Sequence, residues 1–257
     1  MCRHIGYIGN REFINNIILE KKHSLIDMAF QPKEMENAKL NADGFGIGWS
    51  SNENRNKFFL YKNYMPIWND PNLVSFAKNI KTDLMIGNVR SSTLLENIGY
   101  QNSHPFTFEN LLFSHNGYIE NFEKNVRSKL LNLIDNKYFH ILKGNTDSEL
   151  IFLLLITIYK KNKNIITSIL ETLEIIFESS RAAMLNFIIA EYKNKQIKLY
   201  ATRTALKLKP PSLYYQTNKN KNIYIASERL DNKKWIFVKN NSLIECTKDK
   251  LKILEIK

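Results

Sequence analysis

The sequence predicts an α+β domain built in layers. Segments of β character come in runs rather than alternating singly with helices. One long helical segment is apolar almost all round, as expected of a helix buried between other layers. The length and composition, 257 residues at 44% hydrophobic and 24% charged, suit a globular chain that buries a core of its own.

Each element has a local reason. Residues 3–8, 57–62, 84–90, 111–115, 185–191, 196–202, 222–227 and 234–239 are short, rich in β-branched or aromatic side chains, and bounded by polar turns, which predicts strands. The polar stretches 50–57 and 217–221 have the length of hairpin loops. A helix is predicted over 11–19. A second starts at Thr146-Asp-Ser-Glu149, a capping box in which Thr146 accepts from the Glu149 amide while Glu149 reaches back. It continues through the apolar run 150–159. A third covers 165–179, where Ile165, Ile169, Leu173 and Ile176 recur at helical spacing. No internal repeat and no Pro/Gly/Ser linker divides the chain, so residues 1–257 are expected to form one domain.

Composition narrows the class of partner. With 37 Lys+Arg against 25 Asp+Glu, the net charge is +12, which taken alone suggests a polyanion. Only eight of the 37 are Arg, however, and the Lys are scattered among Asn and Ile as codon bias would leave them. A phosphate reader favours the planar fork of Arg. No basic stretch is interleaved with aromatics for base stacking, so no nucleic-acid partner is expected. The N-terminal MCRHIGYIG lacks the apolar stretch of a signal peptide, and the longest apolar run is about half of the ~20 residues a membrane span needs. Cys2 and Cys246 stand far apart with no CxxC pair, which suits a reducing cytoplasm and gives no disulfide framework. His4, His23 and His140 lack ligand spacing, so no metal is expected. Asp43-Gly-Phe-Gly-Ile-Gly48 superficially resembles a phosphate loop, but it opens no helix and carries no Lys.

Four places carry the residue types of amide chemistry. Removal of Met1 would make Cys2 the terminal residue, a nucleophile with its own base: an α-amino group titrates at about 7.7–8.0 and a thiol at about 8.5, so proton transfer between them is nearly thermoneutral. A lone cysteine can equally be a small buried hydrophobe. Asn116 and the Gly117 amide, in Ser114-His-Asn-Gly117, are suitable donors for a developing oxyanion, each worth roughly 3–4 kcal/mol. The same Asn-Gly pair is also the strongest short signal for a hairpin turn. Arg90, after a strand, can clamp a carboxylate through two parallel bonds or simply face solvent. Asp147 can receive an ammonium or merely complement the helix dipole. Together they form the set needed to cleave the side-chain amide of an α-amino acid, whose head carries both charges.

The chain resembles the class II glutamine amidotransferases of the N-terminal-nucleophile hydrolase superfamily, and within them the γ-glutamyl hydrolases of ergothioneine biosynthesis. The resemblance rests on Met1-Cys-Arg-His-Ile-Gly-Tyr-Ile-Gly9, His23-Ser-Leu25, Asn41-Ala-Asp-Gly-Phe-Gly-Ile-Gly-Trp49 and Met65-Pro-Ile-Trp-Asn-Asp-Pro71. It continues through Val89-Arg-Ser-Ser-Thr93, His104-Pro-Phe106, Ser114-His-Asn-Gly117 and Gly144-Asn-Thr-Asp-Ser-Glu149, with weaker echoes at Ala226-Ser-Glu228 and Trp235. It implies a four-layer αββα sandwich. It also implies Cys2 as nucleophile, its free amine as base, Asn116 and Gly117 as oxyanion hole, Arg90 with Thr93 on the α-carboxylate, and Asp147 on the α-ammonium. Asn88, where many relatives have His, Ser92, where Ala is usual, and Leu94-Leu95 depart from the family at the pocket wall.

The implied activity is hydrolysis of a γ-glutamyl amide through a Cys2 thioester, on a small molecule of the γ-glutamyl-hercynylcysteine sulfoxide type, with no cofactor. One alternative is a glutaminase subunit that supplies ammonia to a separate synthase. Another is a non-catalytic basic binding protein that reuses the fold. A synthase partner and self-association both stay open at this point.

Overall fold

Short strands and brief helices alternate along the first part of the chain. They are β1 (Arg3–Phe13), α1 (Ile14–Ile18), α2 (Leu25–Phe30), β2 (Phe45–Ser50), β3 (Phe58–Asn63), α3 (Leu73–Asn79), β4 (Lys81–Val89), β5 (Phe106–Phe108) and β6 (Leu111–Ile119). Three helices follow, α4 (Arg127–Leu133), α5 (Asp147–Asn162) and α6 (Ile165–Ser179). The chain closes on strands: β7 (Ala183–Lys193), β8 (Gln196–Arg203), β9 (Ala205–Leu206), β10 (Tyr214–Thr217), β11 (Ile223–Ala226), β12 (Ile236–Phe237), β13 (Ser242–Cys246) and β14 (Leu251–Glu255). This is a computed structural model that describes residues 2–35, 39–51, 57–92 and 97–256.

The strands form two antiparallel sheets. The first runs β12-β10-β11-β1-β4-β2-β3, and the second β14-β13-β8-β7-β6-β5 with β9 also on β7. Successive side chains of a strand point to opposite faces, so one strand can feed two cores. On β1, Ile5 and Tyr7 join a cluster with Ile14, Ile17, Leu25 and Met28 of α1 and α2, while Ile8 joins a second cluster. That second cluster lies between the sheets and combines Leu84 and Ile86 of β4 with Leu112, Ile188 and Ala190 of β6 and β7. Phe113 and Phe187, on the opposite face of the second sheet, pack against α5 and α6. Helices, sheet, sheet and helices therefore stack in the αββα order that the resemblance implies.

The long helices behave as their sequences predict. α5 is buried on all sides from Ser148 to Tyr159, and α6 buries Ile165, Ile169, Leu173 and Ile176 on one face. At the start of α5, Thr146 accepts from the Glu149 amide at 3.3 Å. Glu149 does not close the expected capping box. Its carboxylate passes Thr146 and accepts the amides of Lys143 and Gly144 at 2.8 and 2.7 Å, bracing the approach to the helix.

Three predictions are corrected. The helix expected over 11–19 shrinks to α1, because Glu12 and Phe13 extend β1 and pair with Thr82 and Lys81 past a register shift after Ile8. The last predicted strand, 234–239, contracts to the two residues of β12. The Asn116-Gly117 pair lies inside β6, where nine residues pair with β7, and makes no hairpin turn.

Candidate active site

The site forms where one end of the first sheet meets the matching end of the second. Cys2 immediately precedes β1, and Arg90 immediately follows the neighbouring strand β4. Gly117 lies on β6 and Asp147 opens α5, both in the second half of the sandwich. Cys2, Arg90, Gly117 and Asp147 line one cleft of about 310 Å³, together with His104, His115 and Asn145. Cys2 is 9% exposed at the base of this cleft. Thr93 lies outside the described residues.

Asn116 is wholly buried beside Gly117, with Nδ2 3.4 Å from Ser227 Oγ on the first sheet's side. The same hydroxyl accepts the His4 amide at 3.0 Å. Ser227 therefore ties the residue pair after Cys2 to the Asn116 side chain, across the gap between the sheets. Gly117 has no room for a side chain, since a Cβ there would sit 1.8 Å from Met184 O. Only glycine keeps β6 against β7 at this point.

The charged residues are aimed by their neighbours. Arg90 Nη1 donates to Asn97 O at 2.7 Å, and Nη2 lies 3.4 Å from Ser92 Oγ. Its backbone is clamped to β2's approach: Arg90 N donates to Gly44 O at 2.8 Å and Asp43 N donates to Arg90 O at 3.0 Å. Asp43 in turn accepts the Ser92 amide at 2.7 Å. Asp147 accepts the Ile119 amide at 3.1 Å on one oxygen and the Ser148 amide at 2.7 Å on the other. Backbone donors thus hold its carboxylate at the mouth of α5. A cationic and an anionic side chain then border the same cleft, complementary to a head group carrying both charges.

The ring of His115 is held at both nitrogens. Nε2 lies 3.0 Å from Met184 O, an acceptor only, so Nε2 carries a proton, and Nδ1 lies 2.9 Å from Ser148 Oγ, a hydroxyl also 3.1 Å from Asp147 Oδ1. Burial lowers the pKa of His115 despite the opposing pull of Asp147. Burial also drives His4 down to about 3, helped by His115 and Arg3. His4 Nδ1 and Asn88 Nδ2 meet at Ser114 Oγ, at 3.3 and 3.1 Å. Asn88, one of the departures from the family pattern, thus belongs to a polar layer beneath Cys2.

Behind Cys2 lies a network that sequence reasoning missed. Arg3, fully buried, pairs with Glu228 at 3.0 Å, and His23 reaches the other Glu228 oxygen at 2.6 Å. Glu228 also accepts the amides of Lys33 and Glu34 at 2.8 and 3.1 Å. Burial alone would raise this carboxyl, yet the bonds from His23, Lys33 and Glu34 and the charge on Arg3 hold it below the usual range. Arg3, His23 and Glu228 each fall in a motif of the resemblance, Met1–Gly9, His23-Ser-Leu25 and Ala226-Ser-Glu228, but nothing in the sequence joins the three. Among the described residues, no group of three His, Cys, Asp or Glu is placed to hold a metal ion, and no helix is long and apolar enough to cross a membrane.

Residues 21–208 match the family described as glutamine amidotransferases class-II. The chain belongs to the class-II glutamine amidotransferases. The matched stretch contains Arg90, Asn116, Gly117 and Asp147, and Cys2 precedes it.

Within this family, the chain is 34% identical over 160 residues to the probable glutamine amidotransferase DUG3 of Saccharomyces cerevisiae, covering 60% of this chain and 44% of the yeast protein. It is 27% identical over 120 residues to a γ-glutamyl-hercynylcysteine sulfoxide hydrolase of Mycobacterium tuberculosis, covering 47% of this chain and 50% of that protein. The chain thus spans about half the length of the curated relatives it matches. A class-II glutamine aminotransferase domain protein of Silicibacter pomeroyi superimposes with a TM-score of 0.73 at 21% identity, covering both chains fully. Glutamine phosphoribosylpyrophosphate amidotransferase of Bacillus subtilis gives 0.69 at 17% identity, covering all of this chain and 49% of that one. These two likenesses concern the fold.

Proposed function

We propose that the protein hydrolyses the γ-amide of a small γ-glutamyl compound through a thioester on Cys2. One observation carries this: a thiol, a guanidinium, a carboxylate and Gly117 line a single cleft, with Asn116 buried next to Gly117 in the chain. Arg90 and Thr93 take the α-carboxylate, and Asp147 takes the α-ammonium, which aims the side-chain carbonyl at Cys2. Cys2 Sγ attacks that carbon, its proton passing to the α-amino group freed by loss of Met1. Negative charge gathers on the carbonyl oxygen, and Asn116 Nδ2 and the Gly117 amide are its donors. The C–N bond breaks, the amine leaves with the proton, and water then cleaves the thioester to release glutamate and regenerate the thiol.

The substrate we favour is a γ-glutamyl-hercynylcysteine sulfoxide-type compound, supported by the 27–28% identity to mycobacterial hydrolases of that name. A second reading, a glutaminase that feeds ammonia to a separate synthase, is favoured by the higher identity to the yeast amidotransferase. Both cysteines are free thiols, consistent with work in a reducing cytoplasm. The test is glutamate release from a panel of γ-glutamyl amides, including glutamine, glutathione, γ-glutamyl-p-nitroanilide and the hercynylcysteine sulfoxide conjugate. Cys2→Ala should abolish release while leaving the thermal midpoint near wild type, and undiminished release would sink the thioester route. Intact mass tests the loss of Met1. Preference for free glutamine, rising when a synthase is added, would select the second reading.

A further inference from the structure

One side chain in the cleft has no part in that reaction. His104 lines the cleft beside Arg90 and Cys2 and is 2% exposed. Neither Nδ1 nor Nε2 has a hydrogen-bond partner among the described residues. Two unsatisfied ring nitrogens in a buried imidazole are costly unless something that enters the cleft satisfies them.

The ring is held in place from behind. It stands edge-on to Phe106, with centroids 4.8 Å apart and planes at 72°. Its backbone is pressed against β2, where a Cβ at Gly46 would come 2.2 Å from His104 O. Lys62 Nζ donates to the preceding carbonyl, Ser103 O, at 2.8 Å. Burial, and then the charge of Arg90, hold the ring well below its usual pKa, with His115, Lys62 and His4 acting in the same sense. The imidazole is therefore neutral, with one N–H to give and one lone pair. Its charged neighbours, Arg90 and Lys62, are both cationic, so the field at the ring favours an anionic group rather than an ammonium.

We propose that His104 is a specificity residue, donating its ring N–H to the substrate α-carboxylate that Arg90 holds and thereby selecting amides that carry this carboxylate. The proposal rests on the γ-glutamyl reading above. A neutral donor beside a guanidinium completes the carboxylate's hydrogen bonds without adding a second buried charge.

The experiment compares γ-glutamyl-p-nitroanilide with 4-aminobutanoyl-p-nitroanilide, which lacks only the α-carboxylate, on the full chain. In His104→Phe, which keeps a ring against Phe106 but no donor, the ratio of the two kcat/KM values should fall about ten- to a hundredfold, the worth of a hydrogen bond to a charged group. The loss should appear in KM for the glutamyl anilide, with the aminobutanoyl anilide unaffected. His104→Asn, which retains an N–H, should recover much of the ratio. Equal losses on both anilides would mark a structural role and overturn the proposal, as would an unchanged ratio. His104→Leu carries the same comparison if the Phe variant does not fold. Absence of hydrolysis by the wild type on either anilide and across the panel strikes the γ-glutamyl reading itself, a result distinct from an unchanged ratio.

Discussion

Arg3 and Glu228 set the terms at the scale of single residues. A buried ion pair is weak as a source of stability but expensive to break, because removing one partner strands the other charge. Glu228 also holds His23 and two amides of the 33–34 segment, so its loss leaves several donors without an acceptor. Glu228→Gln should therefore cost about 3–5 kcal/mol, read as a fall in the denaturation midpoint. Glutamate release should fall as well, since Arg3 adjoins Cys2. A midpoint equal to wild type would mean that solvent takes over the role of Glu228. The pairing is not visible in the sequence, where positions 3, 23 and 228 lie too far apart for any spacing rule to join them. Cys2, Arg90, Gly117 and Asp147 were legible singly only as residue types with competing explanations. Family-like order, not spacing, made them a set.

At the scale of elements, legibility followed locality. α5 and α6 were readable because a cap and a period repeat within each segment, and packing asked for the same answer. The Asn116-Gly117 pair was readable in two ways, and the local turn signal lost to nine residues of pairing with β7. β1 outran its predicted end for the same reason: pairing with Thr82 and Lys81 overrode the helical pattern after residue 11. α5 also shows what its apolar girdle does. Phe152 stacks on Phe113 of β6 at 5.2 Å and on Phe106 of β5 at 6.3 Å, joining the helix to the strands that carry Asn116 and follow His104. Phe152→Ala should destabilise the fold by about 3–5 kcal/mol, as cavity-forming Phe truncations do. Chemical denaturation checks this, and a cost below about 1 kcal/mol would show that the neighbours collapse into the space.

At the scale of the whole molecule, the histidines in and beneath the cleft set an acid limit. His4, His104 and His115 are all buried with lowered pKa values, His4 at about 3, and Arg3, Arg90 and Lys62 oppose their protonation. In the unfolded chain, histidine takes up its proton near 6.5. Below that pH the unfolded state binds more protons than the folded one, so stability is complete above about 6.5 and declines as pH falls towards 3. Asp147 in the same region counteracts part of the shift at His115. Urea midpoints measured from pH 8 down to 4 should fall progressively below about 6.5, and the fall should shrink in His4→Gln. A flat profile across this range would contradict neutral burial. The net charge of +12 adds general self-repulsion at acid pH.

The strand order also bears on how the protein is made. Cys2 is synthesised well before the strands that surround it: β1 lies between β4 and β11, and β11 begins only at Ile223. Ser227 and Glu228, which brace the residues after Cys2, come later still. A chain still on the ribosome can close β1 against β4, but its other edge stays open until most of the sequence has emerged, a template for wrong pairing. The surroundings of Cys2 thus form only after Ser227 and Glu228 have emerged. Nascent chains halted before Ile223 should be inactive and prone to aggregate, however well their α5–α6 half has folded.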